Sequence, residues 1–384
     1  MKLLFVSDFI ENPNSGAAGS LISIGNSLVS LGHQVDYIWA KPVEERRIKS
    51  FNFYRFFELP FVQYRQVKQA LQAAQYDAVI ISQPHAWYAI RKLKKQYPKL
   101  LFINRTHGWE KRIELNTWHI DAVSLSLKNK LIRYISYALV CHCSYLTVKY
   151  SDAVICASSS DSGYIKKEYP RFAQNIFYIS YGLDDSFIGV DINSKQTTGI
   201  TKFLYAGQYL VRKGVRDIQE ALQKAEGEGK RFTLTLIIHP SSKGAAEKDF
   251  AFLGSRLSII SWLSRNDLIE LYKQHDVFLM PSYGEGFGKT SLEAMACGLC
   301  VIGYKEGALE DFGKNKSNSL LSAIGDAIQF DEDVVYAITS AGDVGKLGRQ
   351  AHRDVQTQTW KKCGEDTLQL LYILKAKKSV SILG

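Results

Sequence analysis

The chain has 384 residues, 46% of them hydrophobic and 22% charged, and a formal net charge of +10. This length is long for one domain and comfortable for two, and the composition is that of a soluble globular protein with large buried cores rather than of a disordered chain. The six cysteines lack both a matching second pair and a nearby histidine cluster, so we expect reduced thiols and no zinc site.

The positive charge is concentrated in the first half of the chain. Residues 1–190 hold 23 Lys and Arg against 15 Asp and Glu, whereas residues 191–384 hold 25 against 23. A basic half suits an anionic partner, either a phosphorylated or lipid-linked substrate, an acidic membrane surface or nucleic acid; a generally basic solvated surface is the alternative. No nucleic-acid-binding motif is present, so we do not expect that partner. Because Met1-Lys2 leads directly into a strand-like run, we expect no signal peptide and a cytoplasmic protein.

Apolar runs separated by amphipathic segments predict the secondary structure of the first half. The expected strands are Leu3–Ser7, Val35–Trp39, Ala78–Ser82, Leu100–Asn104 and Ala153–Ala157. The glycine-containing segment 12–19 follows the first strand, and a helix is expected after it, through about Leu31. Continuous β-branched runs that alternate with helices predict a parallel sheet covered on both faces.

The same rhythm restarts near residue 200, after the polar segment 184–201, of which 193–199 is the most linker-like part. The expected strands are Phe203–Ala206, Thr233–Ile238, Ser258–Ile260, Val277–Met280 and Cys300–Gly303. The predicted fold class is therefore α/β, with two Rossmann-like doubly wound domains, residues 1–185 and 200–360, that face a central cleft. Residues 361–384 are expected to form a helix that packs back toward the first domain.

Two segments of the first half have a composition typical of segments that contact membranes. Leu131–Val148 is mostly apolar over 18 residues, which approaches the length of a transmembrane helix. Because Arg133 and His142 interrupt it, a buried or interfacial helix is the favoured interpretation. The aromatic and basic segment Phe51–Arg65 suits either a membrane surface or a helix packed beside the cleft.

The most informative stretch is 281–298, with the sequence Pro-Ser-Tyr-Gly-Glu-Gly-Phe-Gly-Lys-Thr-Ser-Leu-Glu-Ala-Met-Ala-Cys-Gly. It follows the apolar run Val277–Met280 and predicts a strand, a glycine-rich turn and a helix at Ser291–Ala296. Such a corner offers backbone N–H groups and a helix dipole to an anion. Glu285 and Glu293 would repel a phosphate, so we expect them to accept hydrogen bonds from sugar hydroxyls; a surface loop with a solvated glutamate is the alternative.

The whole chain resembles the retaining nucleotide-sugar glycosyltransferases of family 4, which have the GT-B fold. The most specific match is the pair Glu285 and Glu293 with seven residues between them. The other matches, in the family's order, are Ser15-Gly16-Ala17-Ala18, Leu31-Gly32-His33-Gln34-Val35, Thr106-His107-Gly108, Ser151-Asp152-Ala153-Val154-Ile155, Ile179–Asp184, Ala206-Gly207-Gln208, Lys213-Gly214-Val215 and the tail Thr359–Leu368. Their order and number carry the resemblance.

In the second domain, the resemblance implies a donor site for a nucleotide-diphosphate sugar. Lys213 would place its cation on the diphosphate, and the backbone N–H groups of Gly286, Phe287 and Gly288 would face the sugar or phosphate. Glu285 would bind the sugar hydroxyls, and Glu293 would bind the ribose.

In the first domain, the resemblance implies the acceptor site and two residues near the reaction. Gly16 would let its loop close over the diphosphate from across the cleft. His107 would lie near the reacting carbon and would bind the sugar or steer the acceptor. A lone histidine after a strand is more often structural, but the adjoining Gly108 and the order of the motifs favour a functional role.

The sequence departs from the family's pattern at several positions. Gln208 stands where the family has a diphosphate-binding arginine, and Arg212 is the candidate to replace it. Tyr181 replaces the hinge asparagine. His239-Pro240-Ser241-Ser242 replaces a glycine-rich turn near the nucleotide base, and Gly307-Ala308 replaces Gly-Gly.

The resemblance implies transfer with retention at the anomeric carbon by a front-face route that needs no enzyme nucleophile. We expect no cofactor and no metal, since Lys213 and helix N-termini supply positive charge. We interpret Asp331-Glu332-Asp333 as a helix cap with a solvated acidic turn. The expected donor is a UDP or GDP sugar, and the acceptor a glycan, as in polysaccharide biosynthesis, or a lipid-linked or small molecule. Two alternatives stay open: an epimerase or hydrolase of the same fold, and a non-catalytic partner subunit.

Overall fold

The computed structural model describes residues 1–13, 15–121, 126–193, 199–261 and 263–383. The chain divides into two units, each described by itself below. Unit 1 comprises Met1–Leu115, Ser124–Gly182 and Trp360–Gly384, and unit 2 comprises Asn116–Val123 and Leu183–Thr359. Most of the predicted linker, residues 193–199, lies outside the described residues.

Unit 1 is built on a parallel sheet of six strands. They are β1 (Lys2–Val6), β2 (Gln34–Ile38), β3 (Ala78–Ser82), β4 (Leu101–Arg105), β5 (Ala153–Cys156) and β6 (Ile176–Tyr178). Their order across the sheet is β2-β1-β3-β4-β5-β6. The five predicted strands are confirmed to within a residue at each end. The edge strand β6 was missed because it has three residues, of which only Ile176 is buried.

Between these strands, the described part of the chain forms seven helices. They are α1 (Gly16–Ser30), α2 (Phe51–Phe57), α3 (Leu59–Ala73), α4 (Trp87–Gln96), α5 (Glu110–Asp121), α6 (Leu127–Tyr150) and α7 (Ser159–Glu168). Serine side chains fix several helix starts because each accepts a backbone N–H of the first turn. Ser15 does so for α1, Ser126 for α6 and Ser158 for α7.

The core of unit 1 consists of the apolar runs that the sequence predicts. Leu4, Val6, Val79, Ile81 and Phe102 are buried in one hydrophobic cluster on the sheet. All six cysteines of the chain, in both units, are free thiols.

Helix α6 has two different halves. Among the described residues, α6 is the one helix that is long and apolar enough to cross a membrane, judged by length and composition only. The mean hydropathy of its 18-residue apolar window is 1.2. Val140, Cys143, Thr147 and Val148 in its second half are buried within unit 1, whereas most side chains of its first half are exposed.

Unit 2 repeats the same plan. Its strands are β7 (Thr201–Ala206), β8 (Phe232–Ile237), β9 (Leu257–Ile260), β10 (Val277–Met280), β11 (Cys300–Tyr304) and β12 (Ser319–Ser322). They form a parallel sheet in the order β12-β11-β10-β7-β8-β9. The five predicted strands are confirmed, and β12 was missed because its sequence, Ser-Leu-Leu-Ser, places polar residues at both ends of a short run. Two parallel sheets covered by helices confirm the predicted α/β class.

The helices of unit 2 follow the strands in chain order. They are α8 (Val215–Gly227), α9 (Lys243–Asp249), α10 (Arg265–Lys273), α11 (Lys289–Ala296), α12 (Ala308–Phe312), α13 (Ala327–Thr339) and α14 (Ala341–Val355). One interpretation was wrong here. Asp331-Glu332-Asp333 lies inside α13, whose N-terminal cap is Asp326, and the Asp333 side chain is buried and accepts a hydrogen bond from Gln329.

The last helix, α15 (Trp360–Leu383), belongs to unit 1 and packs along α1. Gly364 permits this contact, because a Cβ at that position would lie 2.3 Å from the hydroxyl oxygen of Ser27. Farther along the helix, Lys378 forms an ion pair of 2.7 Å with Asp152.

Candidate functional site

The candidate donor site lies at the carboxyl edge of the unit 2 sheet, where β10 and β7 are neighbours. The strand order reverses direction at this pair, since β7 continues to β8 and β10 to β11. Open parallel sheets bind ligands beyond the carboxyl ends of the strands at such a switch point. The two loops that leave here are 207–214 after β7 and 281–288 after β10, and they contain most of the predicted donor-binding residues.

Glycines allow the loops to touch. Gly214 has a φ of +73°, and a Cβ there would lie 2.0 Å from the carbonyl oxygen of Pro281. Gly307, which follows β11, has a φ of +60°, and a Cβ there would lie 2.5 Å from the carbonyl oxygen of Phe287. Glycine is the residue that tolerates both a positive φ and this close approach. Loop 281–288 is therefore held from two sides by backbone contacts.

Lys213 and Glu285 form an ion pair within this site, with Nζ 2.5 Å from Oε1. The side chains are 17% and 10% exposed, so both are nearly withdrawn from water. Burial by itself would raise the pKa of Glu285, but the Lys213 cation, a hydrogen bond from Ser282 and the charge of Arg212 together hold it below its ordinary value. Glu285 is thus an ionised acceptor held next to a cation.

Arg212 is the candidate for the role of the family's missing arginine, and it contacts Gln208, which occupies that arginine's position. Its guanidinium donates to Gln208 Oε1 at 2.9 Å and to the carbonyl oxygen of Gly284 at 3.4 Å. Gln208 therefore orients a neighbouring cation toward loop 281–288 instead of supplying one.

Glu306 supports the loop and was not predicted from the sequence. It is 1% exposed, and its carboxylate accepts the backbone N–H of Glu285 at 2.9 Å. Its position directly before Gly307, in a turn after a buried strand, is the signal that could have indicated it.

The loop ends at Gly288, which caps the first turn of α11 with a φ of +85°. Within the described part of the chain, the backbone N–H groups of Gly286 and Gly288 donate to no other group. Together with the N-terminus of α11 they can receive an anion or a hydroxyl oxygen.

Glu293 lies in the second turn of α11. Burial raises its pKa, although the charge of Lys289 acts in the opposite direction. Asp184 raises the pKa further, and Arg265, which forms an ion pair with that aspartate, lowers it. Among the described residues, no donor forms a hydrogen bond with this carboxylate, so its oxygens have the capacity to accept hydrogen bonds from two adjacent hydroxyl groups.

In unit 1, His107 follows β4 at the carboxyl edge of the sheet. Its Nδ1 lies 2.6 Å from the hydroxyl of Tyr181, and its Nε2 lies 3.2 Å from the hydroxyl of Ser82. The imidazole is thus fixed by two hydroxyl groups, and Tyr181, which departs from the family's asparagine, is one of them. Burial raises the pKa of Tyr181 to about 12, so this hydroxyl is protonated near neutral pH.

Gly16 is the first residue of α1, and a Cβ there would meet no atom within 4 Å. Among the described residues of unit 1, no contact therefore requires glycine at this position. Packing does require glycine at Gly19, because a Cβ there would lie 2.4 Å from the carbonyl oxygen of Pro13.

Two other expectations concern a metal site and the segment 239–242, which is expected near the nucleotide base. Among the residues that the structure describes, no group of three or more His, Cys, Asp or Glu side chains is arranged to hold a metal ion. His239 caps a short turn, Pro240–Ser242, through its ring nitrogen and is exposed.

Two family models together match most of the chain. The one described as Glycosyltransferase Family 4 matches residues 14–187, and the one described as Glycosyl transferases group 1 matches residues 192–354. The chain belongs to the family 4 glycosyltransferases.

Curated relatives match this glycosyltransferase over part of their length. A D-inositol 3-phosphate glycosyltransferase from Salinispora tropica is 30% identical over 105 residues, which are 27% of this chain and 22% of that protein. A probable sucrose-phosphate synthase from Thermosipho melanesiensis is 22% identical over 211 residues, which are 53% of this chain and 48% of that protein. The chain thus spans less than half the length of either relative.

Solved structures match nearly the whole of this family 4 chain. Sucrose-phosphate synthase from Thermosynechococcus elongatus has a TM-score of 0.76 at 17% identity and covers 98% of this chain and 100% of its own. HepE from Anabaena, solved with UDP and glucose, has a TM-score of 0.63 at 15% identity and covers 97% and 99%. This likeness shows the fold and confirms the predicted two-domain GT-B architecture.

The structure brings several predicted site residues of this glycosyltransferase together within unit 2. Lys213, Glu285, Arg212 and Gln208 are connected through direct contacts, and Gly286, Phe287 and Gly288 continue the same loop. Glu293 lies farther along the chain, on α11, where the charges of Lys289, Asp184 and Arg265 affect its pKa. Gly16 and His107 lie in unit 1, and their roles stay predictions.

Proposed function

We propose that this family 4 protein is a retaining glycosyltransferase that moves a sugar from a nucleotide-diphosphate sugar to an acceptor. The observation that carries the proposal is the nearly buried Lys213–Glu285 ion pair on the loop that precedes α11. It combines a cation for a diphosphate and an ionised carboxylate for sugar hydroxyls with the N–H groups of a helix N-terminus.

On the donor side, each residue has a distinct task. Lys213 has three N–H donors, so it can contact the diphosphate while it holds Glu285. Arg212 supplies the second cation, because it already points along the same loop. Glu285 accepts hydrogen bonds from the transferred sugar, and Glu293 accepts them from the ribose hydroxyls.

The transfer step requires electrostatic stabilisation of the leaving diphosphate. As the glycosidic bond breaks, negative charge grows on the phosphate oxygen, next to Lys213 and Arg212. The leaving phosphate can take the proton of the acceptor hydroxyl on the same face of the sugar, which yields retention without an enzyme nucleophile. Because two cations and a helix N-terminus already supply positive charge, we propose that no metal is needed.

On the acceptor side, unit 1 binds the molecule that receives the sugar. His107 is held in a fixed orientation by Tyr181 and Ser82, and it binds the sugar or steers the acceptor. Gly16 serves the donor instead, because it leaves space at the start of α1 for the loop to close over the diphosphate. We place the protein in the cytoplasm, where its six free thiols would stay reduced. The acceptor is a glycan, a lipid-linked molecule or a small molecule.

The first experiment is a thermal-shift screen of the purified protein against UDP-, GDP- and ADP-sugars. A donor that binds the folded protein raises its melting temperature in proportion to the logarithm of its concentration. We expect a UDP or GDP sugar to stabilise the protein and Glu285→Gln to weaken that effect. No stabilisation by any nucleotide sugar would support a non-catalytic subunit instead.

The second experiment identifies the product. With the stabilising donor and candidate acceptors, nuclear magnetic resonance of the product should show the same anomeric configuration as the donor sugar. Turnover should persist in EDTA. Free sugar or an epimer formed without any acceptor would overturn the transferase and indicate a hydrolase or an epimerase.

A further inference from the structure

Unit 1 carries a row of exposed aromatic side chains outside the candidate site. Phe53, Phe57 and Phe61 are 58%, 52% and 47% exposed, and they follow one another at intervals of four residues. Glu58, between α2 and α3, is also in the right-handed helical conformation, so this spacing places the three rings on one face. The rings of Phe53 and Phe57 are stacked, with their centroids 6.2 Å apart. We call these three residues the aromatic row.

A basic pocket lies beside the aromatic row. It has a volume of about 400 Å³, and its lining includes Phe57, Phe61, Lys41, Arg47 and Arg65. Arg65 continues the row by one further interval of four residues. The pocket therefore joins apolar rings to three cations.

Two carboxylates also line this pocket, and both are engaged. Glu58 accepts the backbone N–H groups of Arg47 and Ile48 at 3.1 and 2.7 Å, and Glu45 lies 3.8 Å from the Lys41 ammonium. Within the described residues, the guanidinium groups of Arg47 and Arg65 form no ion pair. The pocket thus has positive charge available to an external anion.

The first half of α6 adds an aliphatic row to the same part of unit 1. Leu127, Leu131 and Ile135 are 86%, 60% and 51% exposed, and their intervals of four residues place them on one helix face. Arg55 connects α2 with this helix, because it donates to the hydroxyl of Ser136 at 3.0 Å.

We propose that the aromatic row, the basic pocket and the aliphatic row form a docking surface for an anionic lipid bilayer, with a headgroup phosphate in the basic pocket. Contiguous exposed apolar surface on a soluble protein marks an interaction site. Aromatic and aliphatic side chains bind at the boundary of headgroups and acyl chains, and nearby cations add attraction to anionic lipids. The net charge of +8 over residues 1–190 supplies the matching long-range field.

This inference concerns unit 1 and requires no donor. Under the proposed function it deepens the acceptor side, because a bilayer-bound transferase is positioned to act on a lipid-linked acceptor. The two can fail separately, since vesicle binding is measured without any nucleotide sugar.

The test is flotation of the full chain with vesicles of phosphatidylcholine alone and of phosphatidylcholine with phosphatidylglycerol in equal parts. We expect binding to the anionic vesicles that declines as salt is raised. Each cation near the membrane surface contributes about fivefold to partitioning, so Arg47→Ala with Arg65→Ala should lower partitioning about 25-fold. Phe53→Ser with Phe57→Ser should lower it at least about tenfold.

The control variants remove exposed cationic and apolar side chains outside the proposed surface. Arg171→Ala with Arg231→Ala removes two exposed arginines outside the surface, and Ile328→Ser removes a side chain that is 72% exposed on α13. Both should bind vesicles as the unchanged protein does, and circular dichroism should show all variants folded. Equal binding to neutral vesicles, no binding to either kind, or an equal loss in the controls would overturn the proposal. So would a dimer in solution that the phenylalanine substitutions dissociate, because it would identify a second copy as the occupant.

Discussion

Breaking the Lys213–Glu285 ion pair from either side should separate its contribution to folding from its contribution to turnover. The variants are Lys213→Met, Glu285→Gln and the combination of both. Methionine keeps most of the volume of the lysine side chain, and glutamine keeps the shape of the carboxylate, so the perturbation is mainly one of charge.

The structure sets the expected size of the effect on stability. Across 2.5 Å the attraction is roughly 7 kcal/mol at an effective dielectric constant of about 20. Desolvation of the two ions cancels most of this gain, but removal of one partner from a buried pair costs about 3–5 kcal/mol because the other charge stays buried. Since these side chains retain some exposure, we expect about 2–4 kcal/mol for each single variant.

The two single variants should not be equal. In Lys213→Met, the Glu285 carboxylate still has Ser282 and the Arg212 charge, so the loss should lie at the lower end. In Glu285→Gln, two cations remain next to each other, so the loss should lie at the upper end. The double variant should be within about 1 kcal/mol of the unchanged protein, because no buried charge is left alone.

Turnover should follow a different pattern. Each single variant should be at least about tenfold slower, which corresponds to about 1.4 kcal/mol of activation free energy, and the double variant should be no faster. Urea titrations give the free energies of unfolding, and steady-state kinetics with the stabilising donor give kcat. Normal kcat in a folded single variant, or recovery of kcat in the double variant, would refute the assignment of this pair to the donor site.

The pH dependence of stability has a defined sign. The pKa of Glu285 is lower in the folded protein than its ordinary value of 4.5, so the pair stabilises the fold fully above that value. This stabilisation is lost as the pH falls below 4.5 and through the folded-state pKa. Lys213→Met raises that pKa, so its own acid transition should begin at higher pH. Superimposable acid-unfolding curves for the variant and the unchanged protein would contradict this.

Two further predictions concern backbone and positioning. Gly214→Ala should destabilise the protein by more than about 1–2 kcal/mol and should slow turnover, because a left-handed residue gains a Cβ against Pro281. The control is Gly227→Ala, whose added Cβ meets no atom within 4 Å; because Gly227 lies at the end of α8, this change should not destabilise the protein. Tyr181→Phe should lower kcat about fivefold through loss of its hydrogen bond to His107 at nearly unchanged stability, measured by kinetics and thermal unfolding; an unchanged kcat would leave His107 a structural residue.

The sheets could be predicted from the sequence because their signal is local. Runs such as Ala78–Ser82 and Val277–Met280 are apolar along their whole length, and a strand buried on both faces requires this. Strands β6 and β12 lack such a run, since they are short and include polar or half-exposed residues, and they were found only in the structure.

The sequence predicts which residues belong to the candidate site, but it does not predict which of them contact each other. The motif spacing located Glu285 and Lys213 separately, but the ion pair joins residues 72 positions apart, and sequence does not show where side chains point. Tyr181 illustrates the same limit. The sequence shows only that Tyr181 departs from the family's asparagine. The structure shows that its hydroxyl forms a hydrogen bond with His107.

The position of α15 has a consequence for the order in which the protein folds during synthesis. Unit 1 receives residues from the beginning and from the last part of the chain, whereas Leu183–Thr359 forms one continuous segment of unit 2. Leu371, on α15, is completely buried, and the helix covers α1. While the ribosome makes unit 2, that surface of α1 stays uncovered, because its partner has not yet been translated. Unit 2 can therefore finish folding first, and unit 1 is completed only after α15 leaves the ribosome.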